Sequence, residues 1–376
     1  NITLTSSSTI DEDVDDDTTD ITTSGTLTLN AQGDIGQSGG SGPLDINVGD
    51  LLAHVTVNAG GIFISDTSGL TLTDVDTVDG NIDVSSSGAI VATDVHAMSD
   101  VTLSGTSVTL TSVTADDAGT VTVTATSGTI DEASDNNDTN ITTTGQLNLS
   151  ATAAIGASGA TGALDISVGT LQASTAAGGV FLRESNALII GGTGLQTTGG
   201  DAPIQLTLAA GNLTLNEDIT ANGAGNLSIT LSGAGAALIT DNNADDIASA
   251  TGDVSITADT LTLASGTISS TGGALTLQPN AASRSIGLGD NAGGDFNLNA
   301  TELGLLSNGF GSITIGQTNS GAVDINAFTF LDPVTIQGAA MTVTGLQAGS
   351  NNITLTSSST IDEDVDDDTT DITTSG

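Results

Sequence analysis

The densest group of side chains that could do chemistry is an acidic run near the start of the sequence. It consists of Asp11, Glu12, Asp13, Asp15, Asp16 and Asp17. Carboxylate oxygens are the hard ligands that Ca²⁺ prefers, and so many in one segment repel one another unless a cation is bound. The spacing is not that of an EF-hand loop, and the glycine-rich nonapeptide calcium repeat is missing. The run therefore predicts either a Ca²⁺ site or a solvated acidic loop.

A second copy of this segment follows 120 positions later. Residues 9–53 align with residues 129–173 without a gap, which puts Asp131, Glu132, Asp135 and Asp138 in the place of the first run. A third, degenerate copy begins near Asp241 and includes Asp245. The first two copies supply the candidate Ca²⁺ ligands, and no other cofactor is expected.

Two weaker signals lie between these copies. Asp74, Asp76 and Asp79 form a sparser acidic group that ends before a glycine. His54 and His96 stand alone in the sequence, without a neighbouring set of ligands. We interpret both histidines as surface or corner residues and not as metal ligands.

The composition argues against an enzyme. The chain has two basic side chains, Arg183 and Arg284, and it contains no Lys, Cys, Trp or Tyr. Carboxylate pairs can hydrolyse glycosides, but here they lack the basic side chains that bind acidic sugars and the aromatic platforms that hold sugar rings. Without cysteine there is no thiol catalysis and no disulfide. We predict that the protein is not an enzyme, with a β-helix enzyme acting on polysaccharides as a distant alternative.

The charge limits the range of partners. The formal net charge is −43, whereas nucleic acids and anionic membrane surfaces require basic patches. No run of 18 apolar residues is present, so no membrane span is predicted in this segment. Divalent cations, cationic surfaces or water remain as contacts for the acidic surface.

The elements that carry these side chains follow a regular pattern. Segments such as TLTL, VTVT and LDIN alternate apolar and polar residues, as a strand with one buried face does. Such runs begin near Ile62, Ile82, Val101, Val121 and Ile141, at steps of 19 or 20 residues, and clusters such as TSG and SGGSG bound them. The pattern predicts an all-β parallel β-helix (β-solenoid) with strands of three to five residues. We expect about 17 coils of about 20 residues in each long repeat, with a sandwich of short strands as the alternative.

The long repeat is visible as an identity. Residues 1–25 recur unchanged at 352–376, 351 positions later. We therefore expect residues 1–351 to be one full tandem repeat, with sub-repeats of about 1–120, 121–230 and 231–351, and residues 352–376 to begin the next repeat. Its partners would be further copies of the repeat, in the same chain or head to tail. Coils stacked at about 4.8 Å give a rod of roughly 80 Å per repeat.

Threonine pairs on the strands suggest a further class. Segments such as Thr71-Leu-Thr73 and Thr122-Val-Thr124 are similar to the ice-binding faces of some β-solenoids. Outward threonine is also favourable in any strand, and the array is irregular from coil to coil. Ice binding is therefore a minor alternative.

One stretch resembles a known family. Residues 282–325 contain Arg284-Ser-Ile-Gly-Leu-Gly, Thr301-Glu-Leu-Gly-Leu-Leu and Gly311-Ser-Ile-Thr-Ile-Gly. They resemble segments of giant repetitive bacterial surface proteins, the filamentous-haemagglutinin-like, β-strand-repeat adhesins and exoproteins. The resemblance implies a right-handed parallel β-helix that is secreted and lies at the cell surface, where it serves adhesion, matrix or filament formation. It brings no catalytic residues. The chain departs from typical members in its long identical period and its scarcity of basic residues.

These observations predict a structural function. We expect the shaft of a secreted or cell-surface bacterial filament, built from tandem β-solenoid repeats, that supports adhesion or a matrix. Lateral bundling of fibres through divalent cations would follow from the acidic surface. The alternatives are an adhesin module that binds a specific receptor and a cation-dependent biofilm matrix protein.

Overall fold

The computed structural model describes residues 1–13, 17–39, 42–57, 60–159, 161–241, 243–363 and 370–375. The chain divides into two compact units, Asn1–Arg183 and Glu184–Gly376. It is nearly all β-strand and forms a parallel β-solenoid of about 16 turns, with roughly 22 residues in each turn. The predicted β-solenoid is confirmed and the sandwich alternative is wrong. The turns are longer and fewer than the predicted 17 of about 20 residues.

The first unit places three strand segments in a turn, and each pairs in parallel with its counterpart one turn later. In one such turn β6, β7 and β8 pair with β9, β10 and β11 of the next. The strands are β1 (Ile2–Thr5), β2 (Ile21–Ala31), β3 (Leu44–Val55), β4 (Ile62–Asp66), β5 (Leu70–Thr77), β6 (Ile82–Ser86), β7 (Ile90–Ala92), β8 (Val95–Ala97), β9 (Val101–Gly105), β10 (Val108–Leu110), β11 (Val113–Ala115), β12 (Val121–Ala125), β13 (Ile130–Glu132), β14 (Ile141–Ala151), β15 (Leu164–Thr175) and β16 (Val180–Glu184).

The second unit follows the same parallel scheme. Its elements are β17 (Leu188–Thr197), β18 (Ile204–Leu208), β19 (Leu213–Leu215), β20 (Ile219–Ala221), β21 (Leu227–Leu231), β22 (Ala237–Thr240), β23 (Ile247–Ser249), β24 (Val254–Thr257), β25 (Thr260–Thr262), β26 (Ile268–Ser269), β27 (Ala274–Gln278), β28 (Ile286–Leu288), β29 (Phe296–Leu298), α1 (Ala300–Leu303), β30 (Ser312–Gly316), β31 (Val323–Ile325), β32 (Phe328–Thr329), β33 (Val334–Gly338), β34 (Met341–Val343), β35 (Leu346–Gln347), β36 (Ile353–Ser357), β37 (Ile361–Glu363) and β38 (Ile372–Thr373).

Alternation along each strand builds the core. In the first unit one inward column consists of the buried residues Ile62, Ile82, Val101, Val121 and Leu147. The next position outward gives the column Phe63, Asp83, Thr102, Thr122 and Asn148. Burial of the inward aliphatic side chains stabilises each turn by about 25 cal/mol per Å² of apolar surface removed from water. The outward column mixes residue types, so it does not form the regular threonine array of an ice-binding face.

Long strands replace some of the predicted short ones. β2 and β14 have 11 residues each, and their pairing shifts register at Thr23/Thr26 and at Thr143/Gln146. The TSG cluster at 23–25, expected to end a strand, is instead a bulge within one. A bulge bends a strand without ending its ladder. The turn from Ile21 to its partner Ile46 is longer than the turn from Ile62 to Ile82, and the bulge accounts for one of the extra residues.

The first and second copies each have a glycine at the same place in the turn. Gly36 and Gly156 have φ values of 65° and 63°. A Cβ at these positions would lie 2.2 Å from the carbonyl oxygen of Phe63 and 2.3 Å from that of Phe181, respectively. The left-handed backbone and the close approach of the next turn both require glycine here.

One turn of the second unit carries an insertion. Leu275 pairs with Ile313, and β28, β29 and α1 lie between them in the sequence. The short helix begins with a capping box, in which Asn299 and Glu302 bond to each other's backbone N–H groups. Within the described residues no helix is long and apolar enough to cross a membrane.

Candidate cation-binding sites

Three carboxylates converge in the first copy. One oxygen each from Glu12, Asp20 and Asp45 lies within 4.8 Å of the others, and we call this group the first acidic cluster. The pairing of Ile21 with Ile46 brings Asp20 beside Asp45, and the Asp20 backbone N–H donates to the Asp45 carbonyl oxygen at 2.9 Å. Asp45 is buried, Glu12 is half-buried and Asp20 is exposed. The arrangement offers oxygen ligands to a hard cation, as Ca²⁺ requires.

Most of the predicted ligands in this copy lie outside the cluster. Asp11 is exposed, and its carboxylate accepts hydrogen bonds from the Glu12 backbone N–H and from Gln37 Nε2. Asp13 and Asp17 are exposed and do not belong to the convergent group. Asp15 and Asp16 lie outside the described residues. Glu12 is thus the one predicted ligand that the described structure places in the cluster.

In the second copy an arginine and an asparagine reduce the negative charge of the cluster. Glu132, Asn140 and Asp165 stand where the first copy has Glu12, Asp20 and Asp45, and we call them, with Arg183, the second acidic cluster. Arg183 Nη1 donates to Asp165 Oδ1 at 2.9 Å. Asn140 Oδ1 accepts from the Asp165 backbone N–H at 3.0 Å, while its Nδ2 donates to the Leu110 carbonyl oxygen at 3.3 Å. The carboxylate of Asp20 is thus replaced by the amide of Asn140. The guanidinium of Arg183 contacts the carboxylate of Asp165.

Glu132 is the most perturbed carboxyl group of this cluster. Its pKa is raised to about 7, mainly by burial and further by the negative charges of Asp165, Asp135 and Asp131. The backbone N–H of Asn136 offsets part of this rise. Among the described residues no well-formed hydrogen bond reaches either carboxylate oxygen of Glu132. Burial also raises the pKa of Asp165, against the lowering effect of Arg183.

The remaining predicted ligands of the second copy are peripheral. Asp131 is half-buried and accepts from the Glu132 backbone N–H at 3.0 Å, and burial raises its pKa. Asp135 and Asp138 are exposed, and Asp138 accepts from Asn136 Nδ2 at 3.0 Å. Of the four predicted residues, Glu132 and Asp138 interact electrostatically with Asp165.

The acidic run of the third copy contains the buried carboxyl group of Asp245. Asp245 is buried, and its pKa is raised to about 6, first by burial and then by Asp241, Asp218 and Glu217. Asp241 accepts from the backbone and side chain of Asn243. In the second unit the acidic segment therefore contains a carboxyl group whose pKa is raised by burial and by neighbouring acids. Among the described residues of this segment no three ligands converge.

The histidines occupy a site that the sequence did not predict. His54 Nδ1 lies 3.2 Å from Asp76 Oδ2, and His54 Nε2 lies 3.7 Å from Asp74 Oδ2. His96 Nε2 lies 2.8 Å from Asp116 Oδ2. Both histidines thus have acidic neighbours that are distant in the sequence, because pairing between turns joins residues about 20 positions apart. Matching the two histidines to the coil period would have found this group.

An open groove in the second unit has no comparable chemistry. It has a volume of about 550 Å³ and is lined by small polar residues such as Thr197, Asn222, Ser249 and Ser270. No ionisable side chain lines it among the residues described, so it offers neither a general acid nor a general base.

The first unit thus contains two kinds of cation-directed geometry, one of oxygen ligands only and one that combines imidazole with carboxylates. Comparisons of the chain with protein-family models, with curated proteins and with solved structures find no match.

Proposed function

We propose that the chain is part of the structural shaft of a secreted or cell-surface bacterial filament, built from tandem β-solenoid repeats. The shaft would support adhesion or a matrix. Stiffness would come from the continuous parallel ladder and its narrow aliphatic core, and the acidic outer surface would keep separate fibres apart until cations bridge them.

The main support for this proposal is a strand sequence that occurs twice and pairs through a different edge in each copy. In β1, Ile2 pairs with Leu27 of the following turn. In β36, the identical sequence begins at Ile353, which pairs with Val334 of the preceding turn. The same residues therefore accept a parallel partner from either direction.

The other two strand positions of this turn behave alike. Ile10 bridges to Ile35 of the following turn, whereas its copy Ile361 pairs with Met341 of the preceding one. Ile21 pairs with Ile46 of the following turn, and its copy Ile372 pairs with Leu346 of the preceding one. At all three strand positions the ladder can therefore extend toward both the preceding and the following turn. A ladder that runs through the junction leaves no open strand edge between repeats.

The first acidic cluster adds a divalent cation to this proposal. Glu12, Asp20 and Asp45 converge, and no ion pair to a basic side chain is found for them among the described residues, whereas the equivalent place in the second copy receives Arg183. Ca²⁺ at the first cluster would supply the missing positive charge once in every 351-residue repeat. This favours a shaft whose stability, and whose bundling, depends on calcium.

Electron microscopy of a protein with several complete repeats tests the proposal. We expect an unbranched fibre that lengthens by roughly 80 Å for each added repeat, given about 4.8 Å per turn. Separate globular particles joined like beads would overturn it. Imaging in calcium and in chelator tests the cation separately, because the length per repeat should be unchanged while lateral bundles disperse.

A further inference from the structure

A column of outward side chains joins the two histidines. Asn30, His54, Asp76, His96 and Thr114 are successive partners in the parallel ladder of the first unit. Neighbouring strands lie about 4.8 Å apart, so these side chains project side by side from successive turns. Asp76 is therefore flanked by a histidine from the turn before and another from the turn after. These are the only two histidines in the sequence.

A β-bulge brings a second carboxylate to the same place. Leu51 pairs with Leu72, but Leu52 pairs with Asp74, so Thr73 is an extra residue in β5. Strict alternation after the buried Leu72 would turn Asp74 into the core. The bulge instead leaves Thr73 exposed and Asp74 half-buried on the outer face, and Val75 returns to the core. Bulges often re-aim a side chain in this way.

We propose that His54, Asp74 and Asp76 form a binding site for a divalent transition-metal ion of the zinc class. One ligand atom from each of the three residues lies within 4.8 Å of the others. Imidazole nitrogen suits Zn²⁺, Ni²⁺ and Cu²⁺, whereas Ca²⁺ takes oxygen ligands. Three protein ligands leave a coordination position for water or for a group from another molecule.

The surroundings of the site favour a bound cation. His96 Nδ1 lies 4.0 Å from Asp76 Oδ1, and its Nε2 contacts Asp116. Asp76 and Asp116 therefore lie near opposite nitrogens of the His96 ring. A metal ion would relieve the repulsion between the carboxylates of Asp74 and Asp76.

Nitrogen NMR of the imidazole rings tests this site directly. The 376-residue chain has only two histidines, so a spectrum of ¹⁵N-histidine protein reports on this column alone. One equivalent of Zn²⁺, added in excess Ca²⁺ to occupy oxygen-only sites, should shift the ring nitrogens of His54. No shift of His54, or a shift of His96 alone, would overturn the proposal.

Variants separate the site from general binding to the acidic surface. His54→Asn places an asparagine next to Asn30 in the same column and should weaken Zn²⁺ binding by at least about tenfold, as should Asp76→Asn. Asp83→Asn removes another outward carboxylate, whose ladder neighbours are Phe63 and Thr102, and should leave the affinity unchanged. Circular dichroism checks that each variant is folded. Equal affinities in the His54→Asn and Asp83→Asn proteins would contradict a specific site.

Discussion

The first and second acidic clusters stand at equivalent places in two copies of one segment, yet they balance their charge differently. In the first cluster three carboxylates face one another, and the ladder partner of Asp45 is Ser65. In the second cluster Arg183 stands in the place of Ser65 and contacts Asp165 at 2.9 Å, while Asn140 replaces an aspartate. Backbone pairing around the two clusters is the same, with equivalent bulges in β2 and β14.

The two copies therefore differ in the charge beside the same buried aspartate position, since Arg183 contacts Asp165 whereas Ser65 is the ladder partner of Asp45. Buried carboxylates without a counter-charge destabilise a protein, because the folded state must either desolvate them or bind protons. The second copy contains its own cation in Arg183. The first copy would take one from solution.

Replacement of Glu132 by Gln should have the largest effect. The folded state holds the Glu132 proton more tightly than the unfolded chain does, since the pKa rises from 4.5 to about 7. That contribution to stability is complete below about pH 4.5 and is lost as the pH rises through 7. Gln stays neutral, so the stability advantage of Glu132→Gln over wild type should be greater at pH 8 than at pH 4 by on the order of 2–3 kcal/mol.

Denaturant unfolding in chelator at the two pH values measures this change. Asp94→Asn, which removes an exposed carboxylate, is the control and should show no such dependence on pH. The same advantage for Glu132→Gln at pH 4 and pH 8 would mean that the Glu132 carboxyl group is not perturbed.

Replacement of Arg183 by Ser should have the next largest effect. It gives the second copy the residue that the first copy has at position 65 and leaves Asp165 without its ion pair. We expect a loss of about 2 kcal/mol at pH 8, below the value for a fully buried pair because the Arg183 side chain is 36% exposed. A double-mutant cycle with Asp165→Asn isolates the pair. A loss that persists fully in the Asp165→Asn background would contradict the assigned role.

Replacement of Glu12 by Gln should remove a stabilisation by calcium. Wild-type protein should gain about 1–2 kcal/mol when Ca²⁺ exceeds its dissociation constant about ten- to twentyfold. Glu12→Gln should lose most of this gain, whereas the second-copy variant Glu132→Gln should retain it. Thermal unfolding with and without Ca²⁺ gives both values, and equal calcium gains in the two variants would rule out the first cluster as the site.

Replacement of Ser65 by Arg should have the smallest effect. The new guanidinium lies opposite Asp45 in the ladder and copies the arrangement of Arg183. In chelator the variant should be more stable than wild type by less than about 1 kcal/mol, and its response to Ca²⁺ should shrink. Calcium titrations of the two proteins decide this, since an undiminished response would show that arginine cannot take the place of the cation.

Most of the fold could be predicted from the sequence. Alternation in β4, β6, β9 and β12, with a step near 20 residues, was sufficient to predict a parallel ladder with an aliphatic core. The strand register was not predictable from the step alone, because the TSG cluster at 23–25 has the composition of a corner but is a bulge within β2. Local composition does not distinguish a bend that keeps its ladder from a turn that ends it.

The candidate sites were predicted less well. Glu12 and Glu132 were named from the density of acids around them, but their closest partners Asp45 and Asp165 come from the following turn. The pairing of His54 with Asp76 depends on the bulge at Thr73. Such contacts are set by register between turns, which one extra residue changes.

In a continuous shaft, one turn continues in both directions through the junction between repeats. Hydrogen exchange of a protein with two complete repeats tests this continuity. In the 376-residue chain Ile361 and Ile372 are 49% and 42% exposed, so amides near them should exchange quickly. At the internal junction of the two-repeat protein the same amides should be as protected as those around Ile62 and Ile82. Exchange that stays fast at the junction would show that the ladder stops there, and would contradict a continuous shaft.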